Sequence, residues 1–176
     1  MPRARLATVS LAGCFGCHMS LLDLDEALLE LGDLVEVDRS PLTDIRAMGH
    51  CDIGFIEGGC ANEDNVHVAR MFREKCRLVC AVGACAITGG IPALRNNIPL
   101  RELLATSYLH DVADPIIPND PELPMLLDKV YPIHEVIAVD HTLPGCPPSA
   151  GAITMFLQEL LAQGPISLPY RYVRYD

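Results

Sequence analysis

Apolar residues fall in short bursts between glycine, proline and acidic turns, and two periods alternate along the chain. Residues 6–11 (Leu-Ala-Thr-Val-Ser-Leu) read as a short buried strand. Ser20-Leu21-Leu22-Asp23 has the form of a capping box opening an apolar-periodic helix that Gly32 would close. Residues 35–37 and 52–56 supply a second and a third strand. Residues 62–75 form a helix whose Val66, Ala69, Met71 and Phe72 can face a sheet, and residues 77–82 a fourth strand. A fifth strand is expected at 135–139. An amphipathic helix follows at 149–163, with Ile153, Phe156, Leu157 and Leu160 inward and Gly164 as its stop. Strands alternating with helices predict an α/β fold: a flavodoxin-like, doubly wound parallel sheet in a single domain spanning residues 1–176.

Residues 91–132 interrupt this rhythm and hold seven of the fourteen prolines. A stretch of that length within a compact fold is either a working surface or a packed loop, here with a short helix expected near residues 100–108.

Composition narrows the function classes. A chain of 176 residues, half apolar and 20% charged, is globular and large enough to form its own core. A net charge of -10 with only 13 Lys and Arg argues against nucleic acid and against an anionic membrane surface as partners. Residues 1–5 show neither a twin-arginine pair nor a following apolar region. A long uncharged run, residues 78–94, is broken by three glycines and a proline. A cytoplasmic protein is expected, and its eight cysteines are then metal ligands or small buried hydrophobes rather than disulfides.

Four of them fall where ligands belong. Cys14 and Cys17 follow the first strand, Cys85 the fourth and Cys146 the fifth, so all leave carboxyl ends of parallel strands, which share one rim. Each has a glycine beside it or one residue away, in Gly13-Cys14-Phe15-Gly16-Cys17, Gly83-Ala84-Cys85-Ala86 and Pro144-Gly145-Cys146-Pro147-Pro148, and glycine lets backbone approach bulky inorganic sulfur. Four thiolates also make a structural zinc site, although zinc favours two close pairs, and here one pair joins two singletons. A Cys-x-x-Cys between strand and helix is also the thioredoxin arrangement, but a redox dithiol leaves Cys85 and Cys146 unexplained.

The three motifs in this order resemble those of the small, electron-transfer subunit of nickel-iron hydrogenases: Cys-x-Gly-Cys, then Gly83-Ala84-Cys85-Ala86-Ile87-Thr88-Gly89-Gly90, then Gly145-Cys146-Pro147-Pro148. The resemblance covers roughly residues 6–90 and 135–163. It implies a proximal [4Fe-4S] cluster on Cys14, Cys17, Cys85 and Cys146. With no Cys after Cys146 and no His after His141, one cluster is all that the pattern provides. This minimal form is similar to the small subunit of cytoplasmic, NAD(P)-linked hydrogenases. A large subunit would hold the nickel-iron centre, and an iron-sulfur and flavin diaphorase would carry the NAD site. The related quinone-reductase subunit of respiratory complex I has adjacent cysteines at the first motif, whereas Cys14 and Cys17 are separated by two residues.

Other residues qualify the picture. Glu57 ends the third strand on the same rim and matches a family glutamate near the cluster; it is a candidate contact behind the ligands or a proton relay, beside its ordinary reading as a carboxylate preceding a helix. Cys51, Cys60, Cys76 and Cys80 read as buried apolar side chains, with Cys60, after Gly58-Gly59, the one to watch as a spare thiolate. His18 and His141 could ligate iron but read better as local hydrogen-bonding groups. FMN is disfavoured, because the first loop carries cysteines where a flavin phosphate needs Ser and Thr donors. The tail, residues 169–175, holds three of the five tyrosines and reads as a docking segment or a frayed end. The rival to the whole reading is a zinc-stabilised or dithiol-switch binding protein.

Overall fold

The computed structural model describes residues 3–45 and 47–173. Its centre is a five-stranded, all-parallel sheet of β1 (Ala4–Ser10), β2 (Val35–Val37), β3 (Cys51–Glu57), β5 (Cys76–Val82) and β7 (His141–Leu143), in the spatial order β2-β1-β3-β5-β7. This is the flavodoxin-like order expected of a doubly wound sheet.

Alternation within the strands divides the interior in two. Leu6, Ile53, Phe55, Cys80 and Val82 face α1 (Gly16–Leu22) and α6 (Ala150–Leu161), where Phe156, Leu157 and Ile153 are completely or nearly completely buried. Ala7, Ile56, Val79 and Ala81 face the other way, onto Ala69 and Phe72 of α3 (Glu63–Lys75) and Ala86 of α4 (Ala84–Thr88). Strands apolar on both faces are what a parallel sheet covered on both sides requires.

The helix caps follow from sequence. Asn62 accepts from the Asn65 amide at 2.8 Å while the Asn65 side chain accepts from the Ala61 amide at 3.1 Å, with Glu63 and Asp64 in the first turn of α3 and Arg73 and Lys75 in its last. Ser149 accepts from the Ala152 amide at the start of α6. This helix ends at Leu161, and the left-handed residue is Gln163 rather than the expected Gly164.

Three expectations are corrected. Ser20 does not open a helix: α1 begins at Gly16, and a turn at residues 23–26 separates it from α2 (Ala27–Leu34), which contains Gly32. The Ser20 hydroxyl is used elsewhere, donating to the Pro148 carbonyl at 2.6 Å. The fifth strand lies at 141–143, not 135–139, where a 3-10 turn (Ile133–Glu135) and a bend stand instead. Asp140 makes the first connection to β5, its amide donating to the Val79 carbonyl and its carboxylate accepting from the Val79 amide and from Arg73. The proline-rich stretch is also more ordered than expected. It holds a 3-10 helix (Ile91–Asn97), α5 (Leu100–Tyr108), as expected, and β6 (Leu126–Tyr131), antiparallel to β4 (Cys60–Asn62). Asn96 fastens β6 from its other side by a reciprocal pair of bonds to Val130 at 2.8 and 2.9 Å.

The Asp140 anchor is testable. Its carboxyl lies below the ordinary value because the Arg73 side chain and the Val79 amide outweigh a desolvation that pushes it up. With the folded value depressed, its stabilisation is present above the unfolded value near 3.8 and is lost as pH falls through the folded one. Asp140→Ala should cost about 1–2 kcal/mol at neutral pH, discounted for partial exposure, and progressively less below pH 3.8, read from urea midpoints.

Candidate metal centre

Because every strand of the main sheet runs the same way, β1, β3, β5 and β7 deliver their following loops to one rim. The loops are tied to each other by backbone. Ala12 and Gly59 exchange a pair of bonds at 3.0 and 2.8 Å, the Gly83 amide donates to Leu143 and the Ala84 amide to Gly145, both at 2.8 Å. The Ser20 to Pro148 bond joins α1 to the last loop.

These ties bring the four motif cysteines together. Cys17 and Cys85 are half-buried, and Cys14 and Cys146 are exposed on the rim. Burial pushes the Cys17 thiol far up, and charge on Glu57, Cys14, Cys85 and Cys146 pushes it further, so all of them lie within electrostatic reach. Burial likewise raises Cys85, with Cys14, Cys146 and Glu57 adding to it against an opposing Ile91 amide.

The surrounding backbone is cut to the sulfurs. Gly83, at φ 84°, leaves room that a Cβ would fill to within 2.3 Å of Cys17 Sγ. A Cβ on Gly90, at φ 51°, would stand 2.7 Å from Cys85 Sγ, and one on Gly16 3.1 Å from Cys14 Sγ. Four thiols in such a cradle fit a metal group that supplies the positive charge their thiolates would need. A dithiol switch built on Cys14 and Cys17 would leave Cys85 and Cys146 without a role. Among the described residues no group of three or more His, Cys, Asp or Glu is spaced to hold a metal ion. A zinc ion at about 2.3 Å from each sulfur demands closer thiolates than a cubane of four irons and four sulfides.

Glu57 has a definite task. It is 3% exposed, and its two oxygens accept the amides of Cys17 and His18, both at 3.1 Å, so it caps α1 from across the sheet. Burial pushes its carboxyl up, but the His18 side chain and these amides more than offset that and hold it below the usual range. His18 is buried with both ring nitrogens engaged, Nδ1 by Glu57 and Nε2 by Thr8, and Phe15 stacks on it at 4.8 Å. Glu57 and His18 are each visible in the sequence as separate candidates; their pairing, and its extension to Thr8, is not, since it needs the register of β1 with β3.

The remaining cysteines lie in the core. Burial pushes Cys51 and Cys60 up to about 11 and Cys76 to about 12, and raises Cys80. Cys60 is fully buried in β4, opposite Tyr131. His141 meets Phe156 edge-on within the core side of β7. In the tail, Tyr172 packs at Gly151 with Arg171 over its ring, while Tyr170 is exposed; Arg174 and Tyr175 lie outside the described residues.

Residues 14–160 match the sequence profile of the NADH ubiquinone oxidoreductase 20 kDa subunit family. The chain belongs to this family. Over 99% of its length it is 43% identical to the NAD-reducing hydrogenase HoxS subunit delta of Cupriavidus necator, spanning 86% of that protein. It is 39% identical to a subunit of an F420-non-reducing hydrogenase of Methanococcus voltae over 89% of this chain, but spans only 57% of that relative. Among solved structures, a chain of an NAD+-reducing [NiFe]-hydrogenase matches with a TM-score of 0.95 at 51% identity, covering 99% of this chain and all of the other. The [NiFeSe] enzyme of Desulfomicrobium baculatum matches at 17% identity, a TM-score of 0.58 and 97% coverage of this chain, against 69% of its own, which speaks to the fold alone. The resemblance to hydrogenase small subunits drawn from the cysteine motifs therefore holds for this family member.

Proposed function

We propose that Cys14, Cys17, Cys85 and Cys146 together hold one [4Fe-4S] cluster. Through it the chain relays electrons between the nickel-iron centre of a large subunit and a diaphorase module in an NAD(P)-linked hydrogenase. The observation that carries this reading is the convergence of three motif loops, 61 residues and more apart, on one glycine-lined rim. When bound, the cluster accepts and releases one electron at a time. The chain's own contribution is positional: three loops fix the four sulfurs, the glycines admit the group, and Glu57 holds the α1 end beside Cys17. Residues 147–176 carry no Cys or His for a second cluster. The diaphorase would hold the NAD site and any flavin. Among the described residues no helix is long and apolar enough to cross a membrane.

Exposed apolar residues support a docking surface for a partner. Ile91, Leu94, Ile116 and Met125 are 64–72% exposed along the proline-rich stretch, which we assign to the large subunit. Expressed without partners, the chain should self-associate in light scattering, and co-expression with the large subunit should suppress this. A stable monomer in isolation would contradict the assignment.

The deciding measurement is iron and zinc content with a paramagnetic resonance spectrum of the reduced complex. About four irons per subunit and a cubane signal support the reading. Stoichiometric zinc and no signal would move the chain to the structural-metal class, the one rival that four thiols leave open.

A further inference from the structure

The inner side of the Cys17 loop is polar, buried and nearly dry. Glu57, His18, Thr8 and Ser40 are 3%, 4%, 2% and 5% exposed. They form one unbroken line of hydrogen bonds from the rim, behind β1, to the loop that follows β2. Glu57 Oε2 meets His18 Nδ1, His18 Nε2 lies 3.0 Å from Thr8 Oγ1, Thr8 Oγ1 lies 2.7 Å from Ser40 Oγ, and the Leu42 amide donates to Ser40 Oγ at 3.2 Å. The cavity beside Thr8, Cys17, His18 and Glu57 has a volume of about 10 Å³, room for one water at most. The side chains must therefore satisfy one another.

That requirement fixes the direction of every bond. At one end the Glu57 carboxylate, already accepting two amides, only accepts; at the other the Leu42 amide only donates. Between them Nδ1 of His18 carries the hydrogen given to Glu57, Nε2 accepts from the Thr8 hydroxyl, and Thr8 accepts from the Ser40 hydroxyl. Each hydrogen then has an acceptor. With the opposite polarity the Ser40 hydroxyl hydrogen would be buried with no acceptor among the described residues, at a cost of about 1–3 kcal/mol.

We propose that Thr8 and Ser40 are positioning residues for the metal centre, because they lock the His18 ring that locks the Glu57 carboxylate, and with it the charge and the two amides beside Cys17. The inference rests on the cluster reading above and adds a determinant of its reduction potential. Held in place, the carboxylate keeps a negative charge next to a ligand sulfur and keeps the Cys17 and His18 amides turned toward itself, away from the sulfurs. Both effects disfavour the added electron, and both weaken when the ring is released.

The test is a redox titration of the cluster's paramagnetic signal in the whole complex, with iron content measured for each variant. Thr8→Val should shift the midpoint potential upward, Ser40→Ala should shift it upward by less, and Thr8→Ser, which restores the hydroxyl, should return it to the wild-type value. Glu57→Gln, which removes the charge, should give the largest upward shift. A merely structural role would lower stability while an intact cluster kept its potential. Thr8→Val and Ser40→Ala both at the wild-type potential with full iron overturn the inference. Should Thr8→Val fail to retain iron, Ser40→Ala at the wild-type potential overturns it alone. Absence of iron from the wild-type complex overturns the cluster reading instead.

Discussion

Cys85→Ala should empty the site: iron falls from about four per subunit to background, the paramagnetic signal of the reduced complex disappears, and hydrogen-dependent NAD(P) reduction is lost with it. The effect is chemical and not a failure to fold. Cys85 sits within α4, whose backbone is fixed independently by the Gly83 to Leu143 and Ala84 to Gly145 bonds, and its neighbour Ala86 is already packed in the core. Alanine suits that helical position, so far-ultraviolet dichroism should not change. Cys60→Ala is the informative counterpart. Its thiol is fully buried and raised by that burial alone, so the variant should keep its iron. Iron retained in Cys85→Ala, or lost in Cys60→Ala, would mean that the ligand set is wrong.

The second large effect is expected at Gly83, where φ 84° and ψ 164° lie in a region that essentially only glycine occupies. An alanine there carries about 1–3 kcal/mol of backbone strain. Its Cβ also arrives 2.3 Å from Cys17 Sγ, and clearing such an overlap costs a further ~1–3 kcal/mol. The sum is a large part of the roughly 5–15 kcal/mol that holds a typical domain together. Gly83→Ala should therefore lower the denaturant midpoint of the metal-free chain and block iron uptake at once. Gly32→Ala makes a fair comparison, since nothing lies within 4 Å of its added Cβ and it stands within α2. It should leave both quantities near their wild-type values. A denaturant midpoint unchanged in Gly83→Ala would show that the loop relaxes more easily than its geometry implies.

The parallel sheet and the rim were legible because their signals are short-range: apolar runs with β-branched residues, and glycine-flanked cysteines after three of the strands. What sequence could not disclose came from side chains spent on distant partners. Ser20 has the right spacing for a cap, but its hydroxyl serves Pro148 at a separation of 128 residues. The helix that does form there is instead capped by Glu57, forty residues away, which no local pattern encodes. Val136, Ile137 and Val139 look like a strand because they are apolar and branched, yet they pack on the α3 side of the core while Asp140 makes the connection to Val79. Strands β4 and β6 escape a reading of periodicity for a related reason. Each is short, and their pairing joins residues 60–62 with 126–131 across the whole proline-rich stretch. The four cysteine positions needed only strand direction; the Glu57-His18-Thr8-Ser40 line needed register, which periodicity alone does not supply.

The place of β7 at the sheet edge imposes an order in time. Cys14 and Cys17 are made more than a hundred residues before Cys146, which follows β7, and before Ser149, which caps α6. At about 5–20 residues per second, several seconds pass in which the nascent chain holds part of a ligand set and none of its final wall. On the proposed ligand set, the fourth thiol arrives only when β7 adds to β5 at one edge of the sheet. The architecture thus completes the proposed ligand set last, at the edge of the sheet.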